Sequence, residues 1–360
     1  MGCNEIIEYS LMWCKICCAL IVFSIAVGIY FAYSIFDIFT KDVYSPMSHC
    51  KKIETKPGPE DFQIFDNHIV TGYADRITYK KRGGMLLINE NGKVKELRME
   101  GYPEQRSFNP IGLHIVGTTL YIINVDIPIQ KDCIEVFEFD KGFGKLQLVY
   151  KKTIRLRRPY FNQLNDIFFV SEKVFYTSIF RSVPGFTSLD LFTGLKYILT
   201  RGTNLLKCNT TNDLADCIEV DSGRMFNGLA ERKGELFAID TISKTVNIYK
   251  INKDYSLTIL EEIDLGISGD NIIYDEKKDK FYIGVFRLRD FIGNKQDLAE
   301  GKKPHIPGGV AELYLENGKW KSKLLFMQNV ISGLSSSIRL NKNLIMGSWV
   351  DNHILVCPLE

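Results

Sequence analysis

The chain has 360 residues, a formal net charge of +2, 45% hydrophobic residues and 24% charged ones. That length admits one large β domain or two smaller ones, and the composition is that of a globular protein. A balance this close to neutral excludes an electrostatic nucleic-acid binder, and groupings such as Arg155, Arg157 and Arg158 read as solvated loop charge.

The first predicted element is apolar. Residues 16–36 form a run of 21 without a charge. At 1.5 Å per residue, a helix of that length spans roughly 30 Å of hydrocarbon. Trp13, Tyr30 and Tyr33 suit the two interfaces. A cleaved signal peptide would have a shorter apolar region ending at small residues, whereas this run ends in Tyr33-Ser34-Ile35-Phe36. The expected organisation is a cytosolic N-terminus (1–15), a transmembrane signal anchor (16–36), a linker (37–49) and a lumenal or extracellular domain (50–360). Charge alone leaves the orientation open, because Lys15 is accompanied by Glu5 and Glu8 and the span is followed by Lys41, Lys51 and Lys52. Cysteine usage and the glycosylation sequon at Asn209 decide it.

Cys3, Cys14, Cys17 and Cys18 flank or enter the span, where acylation is one role and packing another. Cys50 and Cys357 stand at the two extremes of the globular part, and an oxidising compartment would let them join its ends. Cys208 and Cys217 have the spacing of a local staple, and Cys133 reads as a buried thiol.

Beyond residue 50 short β-rich runs recur between Gly, Asn, Asp and Lys turns. A polar or glycine position precedes an apolar strand by eight residues five times: Asp61 to Ile69, Gly112 to Leu120, Asp166 to Val174, Gly228 to Leu236 and Ser336 to Leu344. In a sixth instance Asn271 precedes Phe281 by ten. Six units of about 50 residues predict an all-β fold, a six-bladed β-propeller with four-stranded blades. A β-sandwich accommodates six serial units poorly. The segment Arg181–Arg224 breaks the rhythm and reads as an insertion over one face, partly helical; Gly293–Gly309 reads as a second exposed loop.

Acidic and amide clusters fall at the strand entrances: Glu60-Asp61, Asn165-Asp166, Asn227 and Asp270-Asn271. Neighbours in an extended strand point to opposite sides, so each pair can serve two sites. Glu60, Asn165, Asn227, Asp270 and Asn271 make a central set; Asp61 and Asp166 make a second. Such pairs are commonly plain turn formers, but four at one phase of a repeat suggest ligands. All the donors are oxygens, which favours calcium over zinc.

Gly58-Pro59-Glu60-Asp61, Ser107-Phe108-Asn109-Pro110, Leu164-Asn165-Asp166-Ile167, Phe226-Asn227-Gly228 and Asp270-Asn271-Ile272 together resemble the paraoxonase/arylesterase family over residues 45–360. The resemblance implies two calcium ions, with the five-residue set holding the central one. Asp61, Asp166 and the main-chain carbonyl of Leu113 would hold the structural one. It also implies a disulfide between Cys50 and Cys357. Two histidines expected of the family are replaced by Ile111 and Val125, and others by Arg181 and Phe286; Val285 replaces its free cysteine. Apolar side chains cannot exchange a proton near neutral pH, as histidine does. His114 lies three residues beyond Ile111, which puts it on the other side of a strand and implies a structural role.

The span and the lost histidines are most similar to the nematode transmembrane paraoxonase-like proteins that assist degenerin/epithelial-type sodium channels. This implies a catalytically degenerate protein serving the folding, assembly or surface delivery of membrane proteins, in the endoplasmic reticulum or at the cell surface. The alternatives are a calcium-dependent arylesterase/lactonase and a binder of lipid or another small ligand.

Overall fold

A computed structural model describes residues 13–26, 28, 45, 49–142, 145–181 and 200–359. The chain divides into two compact units, Met1–Asp42 and Val43–Glu360. In the first, residues 13–26 are helical with exposed side chains, and Cys14, Cys17 and Cys18 are unpaired. No described helix is long and apolar enough to cross a membrane. Most of the second half of the predicted span, like Cys3, lies outside the described residues.

Among the described residues the second unit is all-β apart from two short helices, Leu288–Gly293 and Lys295–Ala299. Strand β1 (Lys51–Glu54) is set apart from its sequence neighbours. The next four, β2 (Phe62–Phe65), β3 (His68–Tyr73), β4 (Gly84–Ile88) and β5 (Val94–Leu97), form an antiparallel meander. After the short β6 (Met99–Glu100) come β7 (Pro110–Val116), β8 (Thr119–Asp126), β9 (Lys131–Asp140) and β10 (Gln147–Leu156). Then follow β11 (Leu164–Ser171), β12 (Val174–Ile179), β13 (Thr203–Thr211) and β14 (Leu214–Gly223). Two further four-stranded meanders are β15 (Phe226–Arg232), β16 (Glu235–Asp240), β17 (Thr245–Ile251), β18 (Leu257–Asp264), and β19 (Ser268–Asp275), β20 (Lys280–Phe286), β21 (Pro307–Glu316), β22 (Lys319–Ser332). The last is β23 (Leu334–Leu340), β24 (Asn343–Ser348) and β25 (His353–Pro358), completed by β1.

Burial explains the sequence pattern. Interior strands such as β8 and β16 are covered on both faces and read as nearly continuous apolar runs. The edge strand β18 keeps its polar residues in water. Between neighbouring meanders lie apolar clusters; one joins Ile123, Val125 and Ile134 to Leu164, Phe175 and Leu206. The first strands touch in succession, β2 with β7, β7 with β11, β11 with β15, β15 with β19, β19 with β23, and β23 with β2. The result is propeller-like.

Two expectations need correction. Among the described residues six separate four-stranded sheets are not found: four sheets are four-stranded and the fifth has nine strands. The cause is a parallel seam between the edges of two meanders, where Arg155 and Leu156 of β10 lie beside Leu214 and Ala215 of β14. The amides of Arg155 and Arg157 donate to the carbonyls of Asp213 and Ala215, both at 2.9 Å. Arg157 and Asp216 add an ion pair at 2.5 Å. Nor is the second half of Arg181–Arg224 an insertion. It is the hairpin β13–β14, turned at Asn212 in the left-handed region (φ 57°), with Cys208 directly opposite Cys217.

Both disulfides form, Cys50–Cys357 and Cys208–Cys217, and Cys133 is a buried free thiol. β1 pairs with β25 from Lys51↔Val356 to Glu54↔His353, so the two ends of the domain share one sheet beside the first disulfide. Asn209 is exposed on β13.

Candidate functional site

Five of the first strands begin with a register shift against their hairpin partner. The shifts fall between Pro110 and Leu113, Leu164 and Ile167, Phe226 and Leu229, Gly269 and Ile272, and Leu334 and Ser336. In each, the first strand carries one residue more than its partner, the signature of a bulge, which re-aims side chains and interrupts strict alternation. The bulges contain Asn165-Asp166, Asn227-Gly228 and Asp270-Asn271. Glycine is required inside two of them by close approach. A Cβ on Gly112 would lie 2.4 Å from the Asn165 carbonyl oxygen, and one on Gly228 would lie 2.6 Å from the Asn271 Cα.

Asp61 and Asp166 are fastened alike. Asp61 Oδ1 accepts the Phe62 amide and Oδ2 the Leu113 amide, both at 2.7 Å. Asp166 accepts the Ile167 amide at 2.7 Å and the Leu229 amide at 2.6 Å. Each carboxylate thus ties its own strand to the next first strand. Leu113, expected to offer its carbonyl, contributes its N–H in these contacts. Burial pushes the Asp61 carboxyl well above its usual range, and the nearby Asp166 charge adds to the rise. Burial also raises Asp166. Two buried carboxylates that disfavour each other's charge are a place where a cation is stabilising.

The central set is also buried: Glu60, Asn165, Asn227, Asp270 and Asn271 are each 6% exposed or less. Burial raises Asp270 well above its usual range, the Glu60 charge adds to this, and a hydrogen bond from Asn227 opposes it. Asn271 Nδ2 donates to Ser336 Oγ and Asn227 Nδ2 to Thr241 Oγ1, both at 3.2 Å. Among the described residues Asn165 Oδ1 and Asn227 Oδ1 accept no hydrogen bond. Orphaned buried oxygens are costly unless something else satisfies them. Together with the Asp270 carboxylate they fit a hard, oxygen-liganded cation such as calcium. Among the described residues no group of three or more His, Cys, Asp or Glu is placed to hold a metal. The set here combines two carboxylates with three amides.

Arg76 was not anticipated. It lies in the loop between β3 and β4, and its Nε is 2.5 Å from Glu60 Oε2. Its other guanidinium nitrogens donate to the carbonyls of Gly58 and Pro110. Burial raises Glu60, while Arg76 pulls in the opposite direction. Tyr79 in the same loop has φ 51°, an unusual conformation for a bulky residue, and burial pushes its hydroxyl up to about 12. The sequence signal for this loop is slight: an Asp75 whose Oδ1 accepts the Ile77 and Thr78 amides in a turn.

Ile111 and Val125, the positions expected to be histidine, lie in one apolar cluster with Leu164 and Ile167. Asn124 Oδ1 accepts the Asn109 amide at 2.7 Å, which fixes the preceding motif. Among the described residues no histidine is one of the groups that shift Glu60, Asp61, Asp166 or Asp270. Arg181 instead acts on Asp132, and Phe286 packs near Phe291 with ring centroids 6.0 Å apart.

His114 has the structural role expected. Its Nδ1 accepts the Phe169 amide at 3.0 Å, and its ring packs edge-on against Phe168. Burial lowers it from 6.5 to about 4. A depressed pKa means the fold prefers the neutral ring. Its contribution is complete above pH 6.5 and is lost as pH falls from there towards 4. The expected loss is on the order of 2 kcal/mol after allowing for partial exposure. Urea unfolding of wild type and His114→Gln across this window checks it: the variant's stability should fall less steeply.

With the fold and site in place, comparisons with known proteins agree. The sequence model of the arylesterase family matches residues 72–296, and the chain belongs to that family. It is 25% identical over 199 residues to human serum paraoxonase/lactonase 3, a match covering 53% of this chain and 52% of that protein. The chain therefore spans about half the length of that relative. It is 23% identical over 294 residues to rat serum paraoxonase/arylesterase 2, covering 78% of this chain and 75% of the relative. Among solved structures, aldose sugar dehydrogenase of Streptomyces coelicolor aligns with a TM-score of 0.50 at 12% identity, over 86% of this chain and 98% of that one. That likeness concerns the fold alone.

Proposed function

We propose that this is a membrane-anchored, calcium-holding member of the arylesterase family that works by binding rather than hydrolysis. In this reading it assists the folding, assembly or surface delivery of membrane proteins, and degenerin/epithelial-type sodium channel subunits are the partner class. The observation that carries the non-catalytic reading is the apolar cluster around Ile111 and Val125, where the family's histidines are expected. Calcium bound at the central set would neutralise its carboxylates and polarise a nearby carbonyl. Glu60 and Asp270 would carry the charge of that site; Asn165, Asn227 and Asn271 would orient and complete it. Asp61, Asp166 and Leu113 would serve a second, structural ion that ties first strands together. On the same reading the nine-stranded sheet is two blades sewn at their rims, six in all. The membrane anchor rests on the uncharged run 16–36, and the lumenal or extracellular side on the two disulfides and the exposed sequon at Asn209.

The test uses the full chain in detergent. Chelation is expected to lower the melting temperature, because an ion bound only by the folded state stabilises it by mass action. Aryl esters and lactones should be turned over weakly, since general-base help typically contributes about 10²–10⁴-fold. Channel subunits should co-purify, and their surface level should fall on deletion. Robust turnover that disappears in Glu60→Gln or Asp270→Asn would instead establish the calcium-dependent hydrolase. A melting curve indifferent to chelator would remove the calcium.

A further inference from the structure

The contact between Arg76 and Glu60 joins a guanidinium to a residue of the central set. The pair is sequestered, with side-chain exposures of 6% and 8%. Arg76 is held by three groups at once: the Glu60 carboxylate, the Gly58 carbonyl just before it and the Pro110 carbonyl of β7. A Cβ on Gly58 would stand 2.4 Å from the same guanidinium, so the chain leaves room for it there. Glu60 and Asp270 bring two negative charges, and Arg76 already compensates one. A divalent ion approaching Glu60 meets both a repelling charge and an occupied carboxylate oxygen.

We propose that Arg76 is a resident counter-cation of the central site, and that calcium binds there by displacing it from Glu60 together with the 74–83 loop. This deepens the calcium reading above and rests on it. The two candidate sites then differ. The hydrogen bonds to the Asp61 and Asp166 carboxylates come from backbone amides rather than from an arginine, and on this proposal their ion binds first. The central ion binds weakly, and its arrival frees the loop carrying Arg76 and Tyr79. Calcium concentration then sets the exposure of one loop at the mouth of the first strands.

Calorimetric calcium titration of the full chain in detergent tests this with wild type, Arg76→Met, Arg76→Lys, Glu60→Gln and the Glu60→Gln/Arg76→Met double variant. Two like charges sharing a buried carboxylate suppress affinity by roughly ten-fold or more. Arg76→Met is therefore expected to tighten the weaker event by at least about ten-fold and leave the tighter one unchanged; Arg76→Lys should gain less. The gain should vanish when Glu60 is already Gln. Hydrogen exchange of residues 74–83 in the wild type, which needs no variant, should speed up when calcium fills the weaker site. A weaker event that Arg76→Met leaves unchanged overturns the proposal, as does a loop whose exchange ignores calcium. Absence of any calcium binding in all five proteins overturns it by a different route, because the calcium reading itself then fails.

Discussion

Asp166→Ala is expected to cost about 2–4 kcal/mol of folding stability in urea unfolding. Asp166 accepts two buried amides, one from its own strand and one from Leu229 of β15. Hydrogen bonds to a charged acceptor contribute about 1.5–3 kcal/mol each, so the gross loss is roughly 3–6. Part is offset, because the variant no longer buries a carboxylate whose ionisation burial disfavours. Asp166→Asn keeps one acceptor oxygen and should recover about half of the loss. A cost below about 0.5 kcal/mol would mean the two strands hold together without this bond.

Breaking Cys50–Cys357 is the second large effect. Its partners are 307 residues apart, and the chain-entropy relation gives about 5–6 kcal/mol for so long a loop. Engineered and native bridges commonly deliver less, so Cys357→Ser is expected to cost about 3–5 kcal/mol. Cys208–Cys217, with a separation of 9 inside a hairpin already held by its ladder, should cost about 2. Denaturant midpoints of the two single variants decide the order. The reasoning fails if Cys208→Ser is the more damaging, since ring closure through β1 and β25 would then matter less than one hairpin.

Much of this architecture was legible in the sequence. Interior strands announce themselves because burial on both faces demands apolar runs, and the eight-residue spacing located the first strands correctly at Asp166 and Gly228. Cys133 reads as a buried thiol because it is the odd cysteine left when the other four of the globular part are paired, and it is one. Three features had no local signature. The β10–β14 seam joins backbones about 60 residues apart and depends on how two edges meet in space. The bulges at Asn165-Asp166 and Asp270-Asn271 shift strand register without altering composition, so alternation alone does not reveal them. The Arg76 to Glu60 contact crosses a hairpin, and a lone arginine in a loop reads as solvated charge. The hairpin β13–β14 differs from expectation for an opposite reason: Asn, Thr and Cys in a row look like a loop, yet here they line paired strands.

The seam also has a mechanical meaning. A wheel of independent sectors yields at whichever joint is weakest. Here two adjacent sectors are riveted along their rims by main-chain bonds and by Arg157 with Asp216. They should behave as one stiff arc, slow to breathe and late to melt. The pairing of the first and last strands, β1 with β25, lies in a different sheet from this seam. The molecule carries its reinforcement and its latch at different points of the same hoop.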